Sequence, residues 1–114
     1  MRPTHFVCPA DGVGDAFWEP EADVFQTRYG YVIKFNLAGI RLDDIRLEVV
    51  KQTLILRGVR RDMMIEESAV QYRLEISYSH FRKCIEFDSD ISTADISTDY
   101  SDGMLFVRIR LERS

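Results

Sequence analysis

The sequence predicts an all-β domain: an antiparallel sandwich with one strand carried in a long loop. Three observations carry this reading. Short segments alternate apolar and polar residues with the period of two that a half-buried strand requires, as in Tyr31-Val32-Ile33-Lys34-Phe35-Asn36-Leu37. Turn residues separate such segments at short intervals, and no stretch sustains a helical period. One alternating segment, Val70 to Ile76, sits inside a charged and otherwise aperiodic excursion. A strand in that position leaves its own sandwich and pairs with another chain.

Met1 to Phe17 reads as a flexible arm, because Pro3, Pro9, Gly12 and Gly14 break any period. Trp18-Glu19-Pro20 starts the fold. Ala22 to Thr27 alternates, and Arg28-Tyr29-Gly30 turns the chain into the strand at Tyr31–Leu37. Ala38-Gly39-Ile40 ends that strand, and Arg41 to Asp44 forms a short turn or a single helical turn. Ile45 to Val50 is the next strand, with Ile45, Leu47 and Val49 on one face. Lys51-Gln52 is a two-residue link into Thr53–Arg57, where Gly58 marks a bulge or a close backbone approach. Arg60 to Ala69 is the charged part of the excursion; loops this long in a small domain are usually functional or interactive. Tyr78 to Phe87 is a further strand, with Phe81, Lys83, Ile85 and Phe87 in one phase. Asp88 to Ala94 is polar turn chemistry. The chain closes in a hairpin: Asp95 to Tyr100, a Ser101-Asp102-Gly103 turn in which glycine can take positive φ, and Met104 to Ile109. Glu112-Arg113-Ser114 is a residual polar tail. The domain proper thus runs over 18–111.

Composition bounds the function. At 114 residues, 46% hydrophobic and 30% charged, the chain is one globular domain with a real core. Its net charge is −4, and its cations alternate with acids instead of forming a stripe, which argues against nucleic acid. Tyr31, Phe35 and Tyr72 lie in the core phase, not on a base-stacking platform. Cys8 and Cys84 match no metal spacing and read as two reduced thiols, the alternative being a redox role or a disulfide-linked dimer through Cys8; the cytoplasm is the default compartment. No apolar run is long enough to span a membrane. No Gly-rich phosphate loop, HExxH, CxxC or GxSxG motif occurs. His80 and Cys84 on a regular strand stand about 13 Å apart, too far for a nucleophile pair. No catalytic, cofactor or metal residue is therefore assigned, and an enzyme is not expected.

Four segments, in order, resemble the α-crystallin domain of small heat-shock proteins. They are Trp18-x-Pro20-x-x-Asp23-Val24-Phe25, Leu37-Ala38-Gly39-Ile40-x-x-x-Asp44-Ile45, Leu54-x-Leu56-x-Gly58-x-Arg60 and Ile96-Ser97-x-x-Tyr100-x-x-Gly103-Met104-Leu105-x-Val107. The second is similar to the family's Leu-Pro-Gly-Val, and the last to its closing Ala-x-x-x-Asn-Gly-Val-Leu-x-Val. The resemblance spans Trp18 to Leu111 and implies an immunoglobulin-like β-sandwich.

It further implies an ATP-independent chaperone, a holdase that binds unfolding client proteins. Gln71, Tyr72, Arg73, Leu74, Glu75 and Ile76 become the strand exchanged between the subunits of a homodimer. Leu47, Val49, Ile96, Thr98 and Tyr100 become the lining of an edge groove for clients or for an Ile-x-Ile tail. Lys83 falls near the dimer contact. No cofactor is implied. The sequence departs from the family in places. Ile109-Arg110-Leu111 is a relaxed Ile-x-Ile that reads as closing strand, Phe87-Asp88 replaces Leu-Pro, and Tyr78-Ser79-His80-Phe81 lacks the customary Gly before the Phe. With its short arm and tail, a dimer or weakly assembled higher species is expected. The alternative is a non-chaperone or co-chaperone interaction module on the same sandwich, like the CS domains. These are monomers without the exchanged-strand loop, so the excursion at 60–77 argues against it and oligomeric mass discriminates.

Overall fold

A computed structural model describes residues 17–63 and 65–111. Among these residues, seven strands form two antiparallel sheets. They are β1 (Ala22–Gln26), β2 (Gly30–Asn36), β3 (Ile45–Val50), β4 (Thr53–Arg60), β5 (Ser79–Glu86), β6 (Asp95–Ser101) and β7 (Met104–Arg110). One sheet has the order β1-β2-β7-β6 and the other β3-β4-β5. The only helical element among the described residues is a 3-10 turn at Leu42–Asp44, where a short turn or a single helical turn was expected.

The alternation in the sequence sets which face is buried. Ile33, Phe35, Leu105 and Val107 meet in register on the inner face of the larger sheet. Leu54, Leu56 and Phe81 line the inner face of the smaller. Leu37, Phe87 and Ile91 fill the ends of the same core. Side chains on the opposite phase, such as Lys34 and Arg108, face outward, as one wet face per sheet requires.

Local chemistry closes the hairpins. Asp102 and Gly103 both take positive φ, 53° and 79°, so the β6–β7 link is a tight turn of the kind that matches strand twist. Lys51-Gln52 links Val50 to its partner Thr53 in two residues, as the spacing predicted. Gly58 sits in regular register with Ile45 and Phe81, and is no bulge. A Cβ there would lie 2.2 Å from the Asp44 carbonyl oxygen and 2.6 Å from Cζ of Phe81. The missing side chain lets β4 run on to Arg60, three residues beyond the predicted strand end.

Val70–Ile76 forms no ladder within its own chain. Two expectations are corrected. The cations do form a row once the strands pair: Arg46, Arg57 and Arg82 are register neighbours on the outer face of the smaller sheet. Alternation along each strand conceals alignment across strands. Finally, Cys84 on β5 is disulfide-bonded, not a reduced thiol. Cys8, the arm over 1–16 and the tail over 112–114 lie outside the described residues.

Candidate functional site

Two features offer interaction surfaces: the margin where β3 and β6 lie, and the excursion between β4 and β5. The first follows from topology. β3 and β6 each have only one neighbour. Trp18 bonds the open edge of β5, donating its N–H to His80 O and accepting from Arg82 N–H, and β1 begins four residues later. β5 and β1 therefore share one margin, which puts β3 and β6 together at the other. The Ile91 N–H donates to Lys51 O, fixing the segment before β6 to the β3–β4 link.

The predicted groove residues fall on this margin. Leu47 and Val49 are half-buried against the core, opposite Leu56 and Leu54. Ile96 and Thr98 are exposed and stand opposite Ile109 and Val107. Tyr100 is different: its hydroxyl is shared between the carbonyls of Leu37, at 3.0 Å, and Ile40. Burial pushes this phenol's pKa up. Tyr100 thus ties β6 to the turn after β2, with its ring against the core. Ile109-Arg110-Leu111 is closing strand and its immediate end, and Leu111 N–H donates to Tyr29 O.

The excursion is open. Val70, Tyr72, Leu74 and Ile76 are 87%, 102%, 71% and 64% exposed, values normal for a polar loop and abnormal for four apolar side chains in phase. Gln71, Arg73 and Glu75 are also exposed. Arg73 Nη1 lies 3.2 Å from Glu75, so residues two apart share a face, as on an extended segment. β1 is an edge strand with Val24 and Phe25 about half exposed, so an unpaired donor segment and an unpaired sheet edge coexist in one chain. Lys83 lies half-buried on β5 opposite Leu56, towards the margin that β1 shares.

Sequence reasoning missed the anchorage of this excursion. Arg60 Nε donates to Ala38 O at 3.1 Å and its Nη1 to Ser77 O at 2.9 Å, while its guanidinium lies 4.4 Å from the Trp18 ring centroid. Arg61 grips Asp44 with two parallel bonds of 2.9 Å. That hydrogen-bonded guanidinium holds the Asp44 carboxyl below the usual carboxylate range. The partners are too far apart in sequence for spacing to reveal them.

The arginine row is locally occupied. Arg46 Nη1 donates to the carbonyls of Asp43 and Ile45, Arg57 pairs with Glu48 at 3.2 Å, and Arg82 lies 3.9 Å from the Phe17 ring centroid. Among the described residues, no group of three or more His, Cys, Asp or Glu side chains is placed to hold a metal ion. No helix among them is long and apolar enough to cross a membrane.

The family model described as the Hsp20/alpha crystallin family matches residues 23–114. The chain belongs to that family. The small heat shock protein C2 of Rickettsia felis is 24% identical over 90 residues, 79% of this chain and 58% of its own length. Heat shock protein 16.0 of Schizosaccharomyces pombe has a similar structure, with a TM-score of 0.73 and 20% identity over 84% of this chain and 90% of that one. HSP18.5 of E. histolytica follows at TM-score 0.69 and 28% identity, over 85% and 92%. This small heat-shock protein spans about three fifths of the length of the curated relatives it matches.

Proposed function

We propose that this small heat-shock protein is an ATP-independent holdase that works as a strand-exchanged homodimer, with weak association into higher oligomers. The observation that carries the reading is the coexistence of unpaired sheet edges with exposed in-phase apolar side chains. Ile96 stands on the β6 margin, and Val70, Tyr72, Leu74 and Ile76 stand on the excursion. An open edge offers backbone donors and acceptors to any extended chain, and the apolar positions beside it add burial.

Two kinds of strand meet such edges in this reading. The excursion of one subunit, Gln71 to Ile76, adds to β1 of the other and makes the dimer. Unfolding clients, with their own exposed apolar segments, add at the β3–β6 margin along Leu47, Val49, Ile96 and Thr98. Apolar contact there gains about 25 cal/mol per Å2, so binding is weak per contact and reversible. It competes with client aggregation by mass action and needs no nucleotide. Family membership supports a chaperone rather than an enzyme.

The test is light scattering of a heat-denatured client protein, without nucleotide, with this protein titrated to equimolar. Suppression is expected, and Ile96→Asp is expected to weaken it while leaving the circular dichroism unchanged. Undiminished scattering in the presence of the folded wild-type dimer refutes the holdase. Full protection by folded Ile96→Asp refutes the groove as the client surface.

A further inference from the structure

The described residues of the excursion form no strand pair, yet it is held firmly at its neck. Its outgoing limb starts at Arg60, the last residue of β4, and its returning limb ends at Ser79, the first residue of β5 and the register partner of Arg60. Arg60 reaches across this neck to Ser77 O while also bonding Ala38 O. Trp18 Nε1–H donates to Ser79 O at 3.2 Å, so the ring beneath Arg60 holds the returning limb too. Arg61 fixes the outgoing limb to Asp44, whose side chain is 13% exposed against 63% for Arg61. Bidentate arginine–carboxylate pairs are directional as well as attractive. Beyond the neck, the hydrogen bonds among the described residues of 62–76 are local: Met63 N–H to Asp62, Ala69 N–H to Glu66 O and Arg73 to Glu75.

A loop that merely joins β4 to β5 needs no such clasp, because the ladder already pairs Arg60 with Ser79. A lever does. We propose that Arg60 and Arg61 are positioning residues for dimer assembly: they aim the exchanged segment, so that its direction is set before the partner's edge is met. This inference rests on the strand-exchange reading. Its value is entropic. An arm that is aimed correctly only a fraction of the time binds with an affinity reduced by that fraction. Each subunit of a reciprocal dimer contributes one arm, so the fraction enters twice. Trp18 adds a second consequence. It stacks under Arg60 and leads in four residues to β1, the acceptor edge. The neck of the donated arm and the strand that receives the partner's arm are thereby one mechanical unit.

The experiment measures the dimer dissociation constant by sedimentation velocity over a dilution series. It uses the full chain carrying Arg60→Gln, Arg60→Lys, Arg61→Asp, or Arg61→Asp with Asp44→Arg. Leu74→Asp serves as the control for strand exchange. If loss of the clasp leaves each arm aimed about a tenth of the time, Arg60→Gln weakens the dimer about a hundredfold. Arg60→Lys is expected to fall short of wild type, since an ammonium keeps the charge over Trp18 without the fork. The charge-swapped pair is expected to recover affinity lost by Arg61→Asp alone. Arg60→Gln placed in the Leu74→Asp background reports monomer stability, and its urea midpoint is expected to move little. An unchanged dissociation constant for Arg60→Gln, with Leu74→Asp dissociating the dimer, overturns the clasp and spares strand exchange. A Leu74→Asp protein that dimerises like wild type overturns strand exchange and the clasp with it. A loss of affinity that the monomer's lost stability accounts for in full also overturns the aiming role.

Discussion

Leu74→Ala isolates the arm's contribution to assembly, because Leu74 is 71% exposed and lies in no ladder of its own chain. Full burial of a leucine side chain is worth about 1.5–3 kcal/mol. Exchange would bury the exposed seven tenths, about 1–2 kcal/mol for each arm. Two arms meet two edges in a reciprocal dimer, so the interface gains about 2–4 kcal/mol from this one position. Alanine removes most of it, and the dimer is expected to weaken by about 30-fold or more. Sedimentation velocity on a dilution series measures the change. Urea unfolding of the dilute protein supplies the monomer's stability, which is expected to stay at the wild-type value. A dissociation constant within about threefold of wild type would refute the burial argument and with it the assignment of Gln71–Ile76 to the interface.

Other positions give equally specific outcomes. Gly58→Ala pushes a methyl into the Asp44 carbonyl and the Phe81 ring, at 2.2 and 2.6 Å, and is expected to cost about 3 kcal/mol in urea unfolding; a loss well under 1 kcal/mol contradicts the close approach. Ser79 holds φ at 78°, where a side chain is strained, so Ser79→Gly is expected to raise stability by about 0.5–1 kcal/mol, read as a higher urea midpoint. The Asp44 carboxyl is held low in the fold by Arg61, so its stabilisation is complete above the ordinary carboxylate range and fades as pH falls through its lowered value. The gap in thermal midpoint between wild type and Asp44→Asn is accordingly expected to be constant near neutrality and to close in acid. Tyr100→Phe leaves the ring in the core but frees the Leu37 and Ile40 carbonyls. It is expected to cost about 1 kcal/mol, with faster hydrogen exchange near the turn after β2.

Most strands and the faces they bury were legible along the chain. The period-two pattern of Tyr31–Leu37, Ile45–Val50 and Met104–Ile109 is written along single segments, and burial follows from it; along Asp95–Ser101 it does not, since Ile96 and Thr98 stay exposed. The Asp102-Gly103 turn, the two-residue link at Lys51-Gln52 and the helical turn before β3 were equally local, because each depends on the φ preference or spacing of adjacent residues. The in-phase apolar residues of Val70–Ile76 were also visible in the sequence, and all four are exposed.

What crosses between elements was decided only in three dimensions. No spacing brings Arg60 to Ala38, Ser77 and Trp18, or Arg61 to Asp44, because those contacts depend on how two sheets stack and where the chain returns. The row of Arg46, Arg57 and Arg82 exists only through the register of three strands. Tyr100 reads in sequence as one more residue in the groove's phase, and packing turned its hydroxyl to two backbone carbonyls. Side-chain period is a property of one strand; a margin, a clasp or a cation row is a property of the pairing between strands.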